Sequence, residues 1–283
     1  MSGKRRVELG PAQETLLIPL YGRAALARQR NALLDDPRAV EMVDALDYDF
    51  SRFEGLSSLV GAVLRTRIHD YWAARWLAAN PLGTVVELGV GLNTRFERID
   101  NGQARWFELD LPDAMELRRE FFADSDRRTS FAGSVLDDKW VDIVAASGGP
   151  WYVVAEAVLF FLPETAVREL VVRLGDLLPG AHLAFDTWGQ WMADNQNDHD
   201  ALGPMEARVQ WFVDDPATLE GWARGLRLNE SVVLPDAPRE IFDLLPEPTR
   251  SSVRSMRDDP QVSSYRQNLL RFSNAPRWDR ETR

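Results

Sequence analysis

The spacing of apolar residues divides the chain into a helical front and a strand-rich remainder. Between Glu14 and Arg30, Leu16, Leu17, Leu20, Ala24 and Ala27 recur at helical intervals, with Pro19 expected to start or bend a helix. Asp36-Pro37 opens a second helix, since proline suits a first turn, with Ala39, Val40, Val43 and Leu46 on one face. A third helix is predicted from Ser57 to Ala79. Leu59, Val63, Ile68, Trp72, Trp76 and Leu77 form its buried stripe, and Pro81 ends it.

Beyond Pro81 the pattern changes to short apolar runs. Thr84–Leu88, Arg105–Asp110, Thr129–Gly133, Trp151–Ala155 and His182–Asp186 read as strands, with helices from Asp113 to Phe122 and from Pro163 to Leu178. Val232–Leu234 and Asn268–Phe272 complete a set of seven. Such alternation predicts an α/β fold of Rossmann-like type, its mostly parallel sheet covered on both faces. No repeat or linker splits the chain, so one domain over 1–283 is expected. Within it, 1–80 form an N-terminal helical region, 81–186 the cofactor-binding core, 187–262 lid segments around strand six, and 263–283 the last strand and tail. The stretches 187–224 and 235–262 are expected to fold over the carboxyl ends of the strands, where open α/β sheets bind ligands.

Charge and composition narrow the partners. Lys and Arg total 33 against 44 Asp and Glu, a net −11, which argues against nucleic acid and acidic membrane surfaces. The absence of cysteine excludes disulfides and thiolate–metal sites, and His69, His182 and His199 are not spaced as a metal pair, so no metal is expected. No apolar run approaches the roughly 18–20 residues that cross a bilayer, and MSGKRRVELG lacks a signal-peptide core, so a cytoplasmic location is expected. Of ten tryptophans, Trp188, Trp191, Trp211 and Trp222 cluster between 186 and 225. They suit either packing or an aromatic pocket.

The chemistry concentrates after the first strand, in Glu87-Leu88-Gly89-Val90-Gly91-Leu92-Asn93-Thr94-Arg95. Glycines at 89 and 91 permit a sharp turn and close approach of a ligand. A dinucleotide fingerprint wants a third glycine where Thr94 stands, which disfavours a pyrophosphate ligand and a nicotinamide-dependent oxidoreductase. Asp110 ends the second strand 110 − 91 = 19 residues beyond Gly91, where an acid accepts from two ribose hydroxyls in this fold class.

The succession VVELGVGLNTR, WFELDLP, FAGSVLDDKW and VVAEAVLFFLPE, preceded by ETLLIPLYGRA, DDPRAVEMV and RTRIHDYW, resembles the leucine carboxyl methyltransferase superfamily, in its branch of bacterial polyketide O-methyltransferases. The resemblance covers most of residues 13–188. It implies S-adenosylmethionine (SAM) as cofactor and an O-methyltransferase acting on a small, polyketide-like or aromatic acceptor. It further implies that Arg67 pairs with the methionyl carboxylate, that Glu87, Gly89 and Gly91 approach the cofactor, that Asp110 holds the ribose, and that Glu156 lies near the methionyl amine. Where relatives of the eukaryotic branch have an acidic adenine contact this chain has Val135-Leu136, leaving Ser134, the Leu136 backbone or Asp137 for that end. Tyr21 and Arg23 are polar candidates for substrate or cofactor contact. Without the resemblance, Arg67 reads as an ion-pair partner of Asp70, and Glu156 as part of a buried ion pair.

A carboxylate acceptor is ionised at neutral pH and requires no general base, in keeping with a chain poor in histidine. No general base is assigned: His182 begins strand five, away from the carboxyl ends, and His199 is expected on the lid surface. Phe160, Phe161, Trp188, Trp191 and Trp211 are the expected apolar walls of an acceptor pocket. The rival readings are a SAM-binding protein without turnover and a methyltransferase of protein C-terminal carboxylates. Oligomeric state is not legible.

Overall fold

The computed structural model describes residues 4–29 and 33–274. Two-residue strands at Arg5–Arg6 and Leu46–Asp47 pair in parallel at the front of the chain. A 3₁₀ turn at Gln13–Leu16 leads into α1, Leu17–Ala27, where Pro19 falls in the first turn and its missing N–H is not needed. The expected helix end at Arg30 lies outside the described residues. In α2, Pro37–Ala45, the Asp36 carboxylate caps the Ala39 N–H at 3.0 Å. The long α3, Ser58–Ala79, follows the predicted stripe. Among the described residues no helix is long and apolar enough to cross a membrane.

Seven strands make one sheet: β1 Thr84–Leu88, β2 Arg105–Asp110, β3 Arg128–Ala132, β4 Trp151–Ala155, β5 His182–Trp188, β6 Arg227–Val233 and β7 Tyr265–Arg271. Their spatial order is β3-β2-β1-β4-β5-β7-β6, and β1 to β5 are parallel while β7 runs antiparallel to both neighbours. The sixth strand lies earlier than its apolar residues suggested. Its half Arg-Leu-Asn-Glu-Ser is an edge with mixed exposure and carries no apolar run. Likewise β7 begins three residues before Asn268 because Arg266 and Gln267 mask it, and β5 extends to Trp188 by pairing with β7 along its whole length.

The connecting helices are α4 Arg95–Ile99, α5 Pro112–Arg119, α6 Lys139–Ala146 and α7 Glu164–Leu177, then α8 Gln190–Asn195, α9 Arg239–Phe242, α10 Glu247–Ser255 and α11 Pro260–Ser264. One face of the sheet packs Val85, Tyr152, Val154 and Ala184 on Leu64, Ile68, Trp72 and Trp76 of α3. The other packs Val86, Val153, Leu183 and Phe185 on α6 and α7 through Trp140, Val144, Leu170 and Leu174. A third cluster joins α1 and α2 to Leu117, Phe121 and Met205. The order of strands reverses between β1 and β4, and ligands bind outside the carboxyl ends of strands at such a point.

Candidate active site

The turn after β1 has Gly89 at φ 62° and Gly91 at φ 48°, the left-handed region open to glycine. A Cβ at Gly89 would lie 2.3 Å from Val158 Cγ2. Guanidinium groups hold the carbonyls of this loop. Arg23 donates to Leu92 O at 2.7 Å, and Arg118 to Gly91 O at 2.9 Å and Asn93 O at 2.8 Å. Each arginine is itself anchored, Arg23 on Asp36 at 2.9 Å and Arg118 on Glu108 at 2.9 and 2.8 Å. Asp110 closes the turn by accepting from Gly91 N at 2.6 Å and Leu111 N at 2.7 Å. Burial raises its pKa against these two bonds. Each of its oxygens takes one backbone donor and keeps capacity for a second.

Behind the turn lies a buried ionic network. Arg95 donates to Asp70 at 2.9 Å, Glu87 at 2.7 Å and Glu156 at 2.5 Å. Arg98 adds a second cation on Asp70 at 2.7 Å. Glu156 also accepts from Arg65 at 2.9 Å, Thr66 at 2.7 Å and Asn93 at 3.3 Å. Burial pushes its carboxyl up, but Arg65 and Arg95 outweigh that and hold it well below the usual carboxylate range. Farther along, Tyr265 donates to Asp186, which also takes Ala157 N at 2.7 Å, and Arg65 reaches Tyr265 Oη at 3.1 Å. Burial lifts Asp186 to about 6 despite Arg65.

A cavity of about 770 Å³ runs along these groups, within the 300–1,000 Å³ typical of small-molecule sites. At one end it touches Gly89, Gly91, Asp110, Gly133, Ser134 and Val135, with Leu16 and Pro19 as a cover. At the other it is walled by Phe160, Phe161, Trp188, Leu202, Val253 and Tyr265.

Sequence comparison places this geometry. The model of the family described as leucine carboxyl methyltransferase matches residues 17–175. The chain is also 32% identical over 270 residues, 94% of its length and 98% of the relative's, to the tetracenomycin polyketide synthesis O-methyltransferase TcmP of Streptomyces glaucescens. This chain belongs to the leucine carboxyl methyltransferase family. It is a SAM-dependent methyltransferase. A SAM-dependent methyltransferase of Gibberella zeae, dpfgK, is 29% identical over 83% of this chain and 87% of its own. The fold matches a DUF574-family protein from Streptomyces avermitilis with a TM-score of 0.56 at 13% identity, over 90% of this chain and 97% of that one. A protein from Thermobifida fusca to which methyltransferase activity is ascribed matches with a TM-score of 0.53 at 17% identity, over 91% and 94%.

Within this methyltransferase the residues singled out from sequence separate. Arg23, Glu87, Gly89, Gly91, Asp110, Ser134, Glu156, Phe160 and Trp188 line the cavity. Arg67 does not. It lies half-buried on the side of α3 shared with Tyr71, Ala74 and Arg75, its Nε buried and without a partner among the described residues, while Arg65, two residues and about 200° away, points with Trp72 and Trp76 toward the sheet and lines the cavity. Nor does Arg67 meet Asp70, whose carboxylate is taken by Arg95 and Arg98. Leu136 is also off the cavity, its N–H folded back on Ser134 Oγ at 3.1 Å, and Asp137 caps Ser134 N at 2.9 Å. Tyr21 stacks on Phe50, with ring centroids 5.7 Å apart. Trp191 packs outside the cavity, and Trp211 lies on the opposite face of the sheet against Phe185 and Trp222. Glu156 lines the cavity while four donors meet its two oxygens, as in the buried ion-pair alternative. His199, expected at the surface, is 7% exposed and lines the cavity.

Arg65, Asn93, Arg95 and Arg118 were missed as site builders. A helical wheel of α3 carries the signal for Arg65, because 65, 72 and 76 share a stripe. Arg95 stands in the quoted glycine motif, but its partners come from three other segments and leave no local trace.

Proposed function

We propose that this methyltransferase transfers the methyl group of SAM to an oxygen, and that its acceptor is a small, flat, polyketide-like or aromatic molecule with a carboxylate as the receiving group. The observation that carries the proposal is one continuous cavity that reaches both the glycine turn with Asp110 and the aromatic walls of Phe160, Phe161 and Trp188. The polar end fits the nucleoside: Gly89 and Gly91 hold a tight left-handed turn packed on Val158 and Leu16 along the cavity wall, and Asp110 retains acceptor capacity for two vicinal hydroxyls. Ser134 and Val135 then flank the adenine. Arg65, with its fork already placed by Glu156 and Tyr265, meets the methionyl carboxylate. Glu87 Oε1, buried and unpartnered among the described residues, is the acceptor for the methionyl ammonium.

When bound, SAM supplies a methyl group on a sulfonium, and the chain's task is alignment and exclusion of water. Phe160, Phe161 and Trp188 provide apolar walls for the acceptor. The relative named for polyketide O-methylation supports this class of acceptor, and a cysteine-free chain suits a reducing cytoplasm. Calorimetric titration with SAM and S-adenosylhomocysteine, followed by incubation of labelled SAM with aromatic carboxylic acids and phenols, tests the reading. Saturable binding and label on a small acid are expected. No association with either nucleoside sinks it.

A further inference from the structure

His199 is held in an arrangement the methyltransferase reading has not used. The segment that carries it is tied to the start of α3, where Asp200 Oδ2 accepts from Ser57 Oγ at 2.9 Å and Ser58 N at 3.1 Å. His199 Nδ1 in turn accepts from two backbone donors, Ala201 N at 3.2 Å and Leu202 N at 3.1 Å. A nitrogen that receives two N–H groups carries no proton, so the ring hydrogen resides on Nε2. Nε2 has no partner among the described residues, and the ring lines the acceptor end of the cavity, edge-on to Trp188 with centroids 5.7 Å apart. Trp188 stacks on Tyr265 at 4.2 Å.

We propose that His199 is a specificity-determining residue that recognises the receiving oxygen of the acceptor as a hydrogen-bond donor through Nε2–H. The inference rests on the methyltransferase reading with an ionised acceptor and names the residue that selects it. An Nε2 that bears hydrogen has no lone pair with which to take a proton from a hydroxyl. To act as base the ring would have to move that hydrogen to Nδ1, against two N–H donors. Burial lowers the imidazole pKa, which keeps the ring neutral at neutral pH. Of the ionisable groups around it, Asp200 Oδ1 stands 3.5 Å from Nδ1. Asp186 on β5, Tyr265 on β7 and Arg65 on α3 are engaged in the pairs described above.

The chemistry balances without a base. A lone pair of the acceptor oxygen forms the C–O bond while the methyl C–S bond breaks and its electron pair stays on sulfur. The negative charge of the acceptor and the positive charge of the sulfonium cancel, and no proton leaves.

Two measurements on the full chain test this. Nitrogen NMR of protein labelled at histidine, with His199 assigned by its loss in His199→Phe, is expected to show a protonated Nε2 and a bare Nδ1 from pH 6 to 9. A proton on Nδ1, or titration near pH 7, overturns the proposal; wild-type affinity of His199→Phe for S-adenosylhomocysteine shows that the variant used for the assignment is folded. Tryptophan fluorescence at saturating S-adenosylhomocysteine then compares 1-naphthoate with 1-naphthol at pH 7. Naphthoate is expected to bind at least tenfold more tightly, and His199→Phe to lose about ten- to a hundredfold of that affinity, the range for a hydrogen bond to a charged group. Equal affinities, a preference for naphthol, no naphthoate binding, or an unaffected variant overturns it. S-adenosylhomocysteine affinity in the same samples reports on the methyltransferase reading separately.

Discussion

Around the glycine turn, nearly every group is fixed by a charge-assisted hydrogen bond, and the guanidinium groups that do the fixing are themselves anchored on buried carboxylates. From Phe160 to Tyr265 the same cavity is walled mainly by rings and aliphatic side chains, with His199, Thr249, Ser252, Asp259 and Gln261 as scattered polar groups on the segments 199–202 and 248–262 that lie outside the strands. The difference teaches that one end fixes a constant ligand through geometry, while the other presents area and few polar instructions. Specificity in the second end must then come from the shape of the aromatic walls and from isolated polar groups.

The most severe way to break the polar end is Arg95→Ala, which strands Asp70, Glu87 and Glu156. We expect a stability loss of about 3–5 kcal/mol, as for other buried pairs robbed of one partner. Urea unfolding checks it, and a loss below about 1 kcal/mol would contradict the network's importance. Next, Gly89→Ala should cost about 1–2 kcal/mol for the left-handed backbone alone and weaken S-adenosylhomocysteine binding at least tenfold, read by calorimetry; Val158→Ala should restore part of it.

Arg65→Lys keeps the charge but loses the planar fork, so cofactor affinity should fall about tenfold. Arg67→Lys should leave it within about twofold. The reverse ranking would return the carboxylate contact to Arg67. At the aromatic end, Phe161→Ala should weaken acceptor binding several-fold while the affinity for S-adenosylhomocysteine stays unchanged. Equal losses for both ligands would erase the division of the cavity.

The smallest effect concerns Asp186. Its folded pKa, about 6, exceeds the ordinary 3.8, so the folded state binds the proton more tightly than the unfolded chain. Stability from this group therefore rises as pH falls through 6 and levels off below the ordinary value. Between pH 6.5 and 4.5, above the range where Glu156 loses its pairing, the melting temperature of the wild type should gain on that of Asp186→Asn as the medium is acidified. A constant difference would remove the raised acid from the account.

The sheet was legible because buried parallel strands are continuous apolar runs, and β1, β2 and β4 match their predicted limits to the residue. Of the edge strand β6 only the apolar end was legible, since the rest of an edge carries polar residues and register alone defines it. At the site, glycines and Asp110 could be read because their spacing is local. The ion-pair network could not, because Glu156 acquires its partners from α3, α4 and the glycine loop only on folding. Trp211 misled for a related reason: composition places it near Trp188, whereas the fold puts the sheet between them.

Arg23 and Arg118 reach the glycine loop from α1 and α5, so the loop's shape is not stored in its own six or so residues. Trimming the chain back to the first strand would strip one face of the sheet of α3 and at the same time free one side of the nucleoside seat. The front helices are thus a working part of the enzyme, and acceptor preference can drift in the outer segments without retooling how the methyl source is gripped.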